Sequence, residues 1–425
     1  MPLDRSAGVF AGWTGSQRFA GGVLAVLLLF LPLFDPPTNL MLVALLGSLL
    51  ATLFRTPGAF APRELNAGHL AFVLLLAASL GSTVSNLPFP DQFRGVREVF
   101  GLLVVYFAVS RLPLDDKTVR WLFWWLVVGA LIAALWGSVD LARQKIDRLG
   151  LHAVGGAARA GIYLGVIIIA GFGLLLHVFS RAGASLAARA TTVACWAALC
   201  VALVLTGSRG AMLGVGAGAL LFLIANRRRI SRRLALAALG LVLVSGLVLS
   251  LLPGHMTAHR FVSNTLSQLQ SGNLDQNDSL RLTLQKYGVE VFRQADNPWV
   301  GVGTRNFHMA KPAVSPAMTA ALKDFEGRVP HAHNLFINKL AEEGVFGVAA
   351  LLFLFGVIAR WLWQDARAGR AGTLAWAIGL GGLVAPIVGG SFNTPWFREN
   401  ALLATICFAL YAAARRSSAA GRQPA

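Results

Sequence analysis

The stretch HAHNLFINKLAEEGVFG, residues 331–347, places two histidines, an asparagine and two spaced glycines where a polar segment meets a long apolar run. Asn334 has the side chain of a helix cap, and Leu335, Phe336 and Leu340 give the helix a buried face. Gly344 can end that helix or bend it into the apolar run. Gly347 lets another backbone come close. His333 then sits at a helix N-terminus, where the positive end of the dipole disfavours imidazolium. A ring kept neutral near pH 7 is what a general base requires. Two other uses compete on spacing alone. His331 and His333 can hydrogen-bond lipid headgroups at an interface, or they can form a zinc pair, for which acidic or cysteine partners are missing nearby.

The rest of the chain decides where this stretch is held. Of its 425 residues, 56% are hydrophobic and 13% charged, and mean hydropathy is +0.64. That excludes an ordinary soluble domain and predicts an all-α polytopic integral membrane protein. About twelve apolar runs are long enough to cross a bilayer as helices: 19–34, 38–54, 67–84, 96–110, 119–141, 160–180, 188–206, 210–226, 234–252, 344–363, 373–390 and 400–414. The first is followed by FDPPTN rather than a small-residue cleavage site, so it reads as a retained helix. Cys195, Cys200 and Cys407 all lie within apolar runs, which argues against a disulfide framework. The formal charge of +18 does not read as nucleic-acid binding. The basic residues cluster beside apolar runs at 226–233, 359–370 and 413–422, the positive-inside pattern.

With both termini cytoplasmic, those clusters all fall inside. The longest polar segment, 254–332, then becomes one large periplasmic loop. The expected organisation is residues 1–253 as membrane helices 1–9, residues 254–332 as a helical loop domain, and residues 333–425 as the histidine stretch with helices 10–12. Within the loop, Leu280, Leu284, Tyr287 and Val291 recur at helical spacing, predicting an amphipathic helix over about 279–294. A turn follows at ADNPWVGVG, 295–303. The shorter outer loops carry Arg97, Arg159, Arg209 and Arg398 against the positive-inside bias, which asks for anionic partners.

His333-Asn334, nine residues, Gly344, two residues and Gly347 resemble the motif of the O-antigen ligase superfamily. LTGSRGAMLG (205–214) is similar to the family's arginine at the mouth of a span. NDSLRLTLQKYGVEVFRQADNPWVGVGTRNF (277–307) resembles its loop arginine followed by the Asn-Pro and Gly-x-Gly turn, with Leu284 where an aromatic often stands. The family comprises lipopolysaccharide O-antigen ligases, O-antigen polymerases and O-linked protein oligosaccharyltransferases. The resemblance implies a glycosyltransferase of the bacterial inner membrane, its active site facing the periplasm. It takes a glycan from undecaprenyl pyrophosphate and, for a ligase, gives it to a sugar hydroxyl of lipid A–core.

That chemistry needs charge stabilisation on the leaving pyrophosphate and a base for the acceptor hydroxyl. No outer-face acidic cluster offers a metal site; Asp115-Asp116 falls on the cytoplasmic side. No metal or cofactor is therefore expected, and guanidinium groups take over that role. On this reading His333 is the base, and Arg209 and Arg281 hold the pyrophosphate. Arg159, Arg305, His331 and Asn334 complete substrate binding, and the reaction inverts the anomeric centre without a covalent intermediate. Surface roles remain the competing explanation for each arginine: a snorkelling interfacial residue for Arg209, a solvated helix face for Arg281, turn stabilisation for Arg305. The expected partners are the lipid-linked glycan, lipid A–core and membrane lipids. A polymerase uses the same donor as both partners. Protein oligosaccharyltransferases usually carry an additional C-terminal region, which favours the ligase reading here. A lipid-linked glycan transporter is the non-enzyme alternative, but the predicted spans are nearly bare of central carboxylates, which suits an interfacial enzyme better.

Overall fold

The computed structural model describes residues 9–10, 12–55, 65–87, 92–143, 145–146, 148–181, 183–230, 276–325, 328–394 and 398–420. The described chain is helical, with a lone antiparallel bridge between Leu151 and Gly155. Its main helices are α1 (Gly15–Phe30), α2 (Asp35–Arg55), α3 (Ala67–Ser85), α4 (Gln92–Val109), α5 (Asp116–Ala142), α6 (Ala157–Ser180), α7 (Leu186–Leu205), α8 (Arg209–Asn226), α9 (Gln276–Arg293), α10 (Pro316–Ala321), α11 (Leu335–Arg367), α12 (Leu374–Gly390) and α13 (Arg398–Ala420).

Polar residues at the run boundaries start these helices by accepting hydrogen bonds from otherwise orphan backbone N–H groups. Asn66 does so for α3, Asp115 for α5, Ser185 for α7 and Thr373 for α12. Asp115 is thus a cap, which accounts for one member of the acidic pair. Among the described residues, α3, α5, α6, α7, α8 and α11 are long and apolar enough to cross a bilayer. Gly15–Phe30, Asn39–Thr52 and Leu374–Gly390 are shorter apolar helices. The chain is a multi-pass membrane protein, but the described residues reach the expected twelve spans only in part. Runs 96–110 and 400–414 belong to α4 and α13, whose first turns are charged, and run 234–252 lies outside the described residues.

Helix α12 is the centre of the bundle. Nearly all of it is buried, against α6, α8 and α13. The expected loop helix is present as α9, slightly longer than predicted, while residues 254–275 lie outside the described part. Leu284, Tyr287 and Val291 on α9 pack with Phe307, Leu322, Val329, Ala332 and Ala341 into a small core beside the main one. The predicted 3.6-residue spacing therefore faces inward. The helices α6, α8, α11 and α13 all begin at the same end of the bundle, beneath this small core. The opposite end gathers the basic clusters: Arg229 donates to the carbonyl of Gly369 at 2.6 Å, and buried Asp365 accepts from Arg370, from Arg415 at 3.2 Å and from Tyr411 at 2.8 Å.

Candidate active site

The site is built on a break in α11. At Gly344 the backbone adopts φ 66°, ψ −160°, a region essentially restricted to glycine. The break frees the N–H groups of Val345 and Phe346, which donate to the carbonyls of Pro298 (3.1 Å) and Trp299 (3.2 Å). In return Val302 and Gly303 donate to the carbonyls of Ala341 (3.0 Å) and Glu342 (2.9 Å). A Cβ on Gly344 would stand 2.4 Å from the Trp299 carbonyl carbon, and one on Gly301 would stand 2.5 Å from the Ala341 oxygen. The Asn-Pro/Gly-x-Gly turn and the histidine stretch, separate in the sequence, are one backbone-to-backbone clasp. Ser82 of α3 adds a hydrogen bond to the Glu342 carbonyl at 2.7 Å.

Gly347 serves a different purpose from the one expected. The atoms nearest its missing Cβ belong to the side chain of Glu343, at 2.3 Å for Cβ and 3.1 Å for Oε2. The close backbone approach occurs at Gly344 instead, because only there does the helix open.

The clasp lays α9 across the start of α11, where a Cβ on Gly288 would meet Ile337 (2.7 Å) and Ala332 (2.8 Å). Arg281 lies seven residues earlier, on the same face, about two turns along the helix. Asn334 is the cap of α11. Its Oδ1 accepts from the N–H of Phe336 (3.0 Å) and Ile337 (3.1 Å), and its Nδ2 donates to the Ser391 carbonyl (3.0 Å) at the end of α12. His333, just before the cap, is held at φ 50°, a conformation uncommon for any residue but glycine. Its ring lies 4.2 Å from that of His331, tilted by 31°.

Both imidazoles are pushed toward the neutral form. His333 is lowered to about 4, first by burial and then by the charges of Arg281 and Arg159. His331 is lowered to about 3 by burial, then by His333 and Arg159. Burial and two guanidiniums thus act in the same direction as the helix terminus. The Nδ1 atom of His333 is buried and has no hydrogen-bond partner in the protein.

Four sequence-selected residues, Arg159, Arg281, His331 and His333, therefore share one electrostatic neighbourhood. Arg159 enters it from the first turn of α6, where its carbonyl accepts from Asn400 Nδ2 at 3.3 Å. Arg209 opens α8 directly after Ser208. The two helix mouths abut, since a Cβ on Gly161 would lie 2.7 Å from that of Ser208. Arg305 is placed elsewhere. At φ 64° its Nη2 donates to both carboxylate oxygens of Glu98 on α4, each at 2.8 Å.

Sequence reasoning passed over Asn400, Ser391 and the polar face of α11 formed by Asn338, Lys339, Glu342 and Glu343. The spacing of that face at i, i+1, i+4 and i+5 inside an apolar context was the available signal. Among the described residues no three His, Cys, Asp or Glu side chains gather as a metal site.

A comparison with curated proteins gave no match. Residues 193–352, which run from α7 through the clasp into α11, match the family model described as O-antigen ligase, and this match supports membership of the chain in the O-antigen ligase superfamily.

Proposed function

We propose that the chain is an O-antigen ligase of the bacterial inner membrane. It transfers O-antigen polysaccharide from undecaprenyl pyrophosphate to a sugar hydroxyl of lipid A–core at the periplasmic face, without a metal. The observation that carries this reading is His333: a half-buried imidazole, held toward its neutral form beside two guanidiniums, whose buried Nδ1 has no protein partner. In the reaction, Nδ1 of His333 takes the proton of the acceptor hydroxyl. The hydroxyl oxygen forms a bond to the anomeric carbon from the face opposite the leaving group. The anomeric carbon–oxygen bond to pyrophosphate breaks, its electron pair stays on the pyrophosphate, and the configuration inverts. Arg281, Arg159 and Arg209 bind the lipid pyrophosphate as its charge grows, since guanidiniums fork onto phosphate oxygens and act most strongly where water is scarce. Asn334 positions His333 through its cap and its bond to Ser391, and His331 packs against the ring.

Family members are glycosyl-transferring enzymes, which supports the reaction class. The basic clusters at the opposite end of the bundle support the orientation, because positive residues collect on the cytoplasmic side.

The test is reconstitution with undecaprenyl-pyrophosphate-linked glycan and purified lipid A–core, with and without chelator. Core modified equally in both conditions is the expected result. His333→Ala should lower kcat by about a hundredfold or more, and Arg281→Lys should also lose activity because ammonium cannot fork. Full activity in a folded His333→Ala protein would overturn the assignment of the base. A donor glycan that only grows longer, with core untouched, would identify a polymerase instead.

A further inference from the structure

The clasp that breaks α11 does not stand above the bundle; it lies alongside the spans. Helix α3, one of the helices able to cross a bilayer, has 19 residues. They measure about 28 Å, against roughly 30 Å of hydrocarbon to be crossed. The segment that follows Asn297 runs down the side of this helix. Asn86 Nδ2, just past the helix end, donates to the Gly301 carbonyl at 3.1 Å, and Thr304 Oγ1 donates to the Ser79 carbonyl at 3.2 Å. Ser79 stands six residues before Ser85, the last residue of α3, so the segment has descended about 9 Å below the end of the span. From α4, a Cβ on Gly95 would lie 2.5 Å from Thr304 Cγ2, so the descent is wedged between both helices.

A turn at that depth has no water to bond. Non-helical backbone is tolerated there only when its polar groups are satisfied within the protein. Pro298 has no N–H to satisfy. The N–H of Trp299 donates to Asn297 Oδ1 at 3.0 Å, those of Val300 and Gly301 donate to the Asn297 carbonyl at 3.2 and 2.9 Å, and those of Val302 and Gly303 donate to α11. The carbonyls of Pro298 and Trp299 accept from α11, that of Gly301 from Asn86, and that of Val302 from Asn306 Nδ2 at 3.1 Å. Every N–H from Trp299 to Gly303 thus has a protein acceptor, which a turn facing water does not need.

The side chains at this level are apolar and face outward. Trp299 is 55% exposed and Phe346 54%, with their rings 5.4 Å apart. Phe346 belongs to the apolar run of α11, which continues outward-facing through Leu352 and Phe353. At the end of α3, Val84 and Leu87 are exposed as well. Apolar residues on the outside of two neighbouring spans meet lipid, and Trp299 extends their surface from the turn. An indole prefers the boundary between headgroups and acyl chains, because its ring is apolar and its N–H is polar.

We propose that residues 298–303 form a re-entrant turn, with Trp299 inserted among the phospholipid chains at the histidine end of the bilayer, just beneath the headgroups. The interaction surface is Trp299, Phe346, Val84 and Leu87, and its partner is the lipid leaflet itself. The inference goes beyond the ligase reading and does not depend on it. Whatever reaction His333 serves, the helix that carries it is broken and clasped at lipid depth.

The full chain carrying fluorotryptophan is placed in vesicles of phosphatidylethanolamine and phosphatidylglycerol. The fluorine signal that disappears in Trp299→Phe, a change that keeps a ring against Phe346, identifies this one of the 11 tryptophans. A phospholipid with a nitroxide on its upper acyl chain should attenuate that signal by more than half, and a water-soluble gadolinium chelate should leave it unchanged. A chelate effect equal to that of the lipid would put the turn in water. Attenuation by neither would mean that protein covers Trp299, as in contact with a second copy of the chain. Either result overturns the proposal. The unmodified protein gives a second reading. A phospholipid with a photoactivatable diazirine on the same part of its chain should label residues 298–303 together with 345–353, and spare the surroundings of exposed Lys311. Adducts on 345–353 with none on 298–303 overturn the proposal as well.

Discussion

At the scale of single residues, the chemistry depends on keeping one imidazole uncharged. Burial, Arg281 and Arg159 all lower the affinity of His333 for a proton, to a pKa of about 4. The neutral form is the one able to accept a proton from a hydroxyl. The kcat/KM of transfer, which reports groups of the free enzyme, should therefore stay level between pH 5 and 8 and fall only below that range. A decline centred on 6.5, the ordinary histidine value, would contradict this. Arg281→Gln removes one positive charge and should lift the acid limb toward 6.5, besides lowering activity. Asn334→Ala loses a cap, a change that costs about 1 kcal/mol, and releases His333 from the end of α12. It should reduce kcat with little effect on donor KM.

At the scale of elements, the broken helix α11 is the joint of the site. Its break exchanges two intrahelical hydrogen bonds for bonds to the 298–303 turn, which keep the N–H groups of Val345 and Phe346 and the carbonyls of Ala341 and Glu342 paired. Gly344→Ala places a methyl within 2.5 Å of the Pro298 oxygen and forces alanine into a glycine conformation. The strain should cost on the order of 3 kcal/mol, read as a lowered unfolding midpoint in detergent. Gly356→Ala, on the same helix with nothing within 4 Å of its missing Cβ, should leave the midpoint unchanged or slightly raised. Equal effects from both substitutions would mean that the clasp does not carry this strain.

At the scale of the molecule, the two ends of the bundle differ in kind. One collects helix starts and half-buried imidazoles and guanidiniums around the small core of α9. The other collects the half-buried Arg370 and Arg415 around buried Asp365. In the proposed orientation, a cysteine placed at exposed Lys311 reacts with a membrane-impermeant maleimide in intact spheroplasts, and one at exposed Arg228 does not, against the background of the native cysteines. The reverse pattern would put the histidine centre on the cytoplasmic side, where no lipid-linked O-antigen is offered to it, and the ligase reading would fail.

The helical class, the membrane character, the α9 helix and the Asn334 cap were legible in the sequence because each is written in local periodicity or in side chains that act within four residues. His333 and Arg159 stood out from the helix terminus and the loop charges, but their grouping with His331 and Arg281 needed the resemblance, which also grouped Arg305, a residue that bonds Glu98 in the structure. What the tertiary structure alone decided is how distant segments pair. The clasp joins residues 298–303 to 341–346 through backbone atoms; its glycines are visible in the sequence, but which two segments they join is not. Arg305 turns to Glu98, 207 residues away, and Asn338, Lys339 and Glu342 of α11 line a cavity that exists only once α2, α4 and α13 have packed around them. Local pattern determines which face of a helix is polar; only packing determines what that face meets.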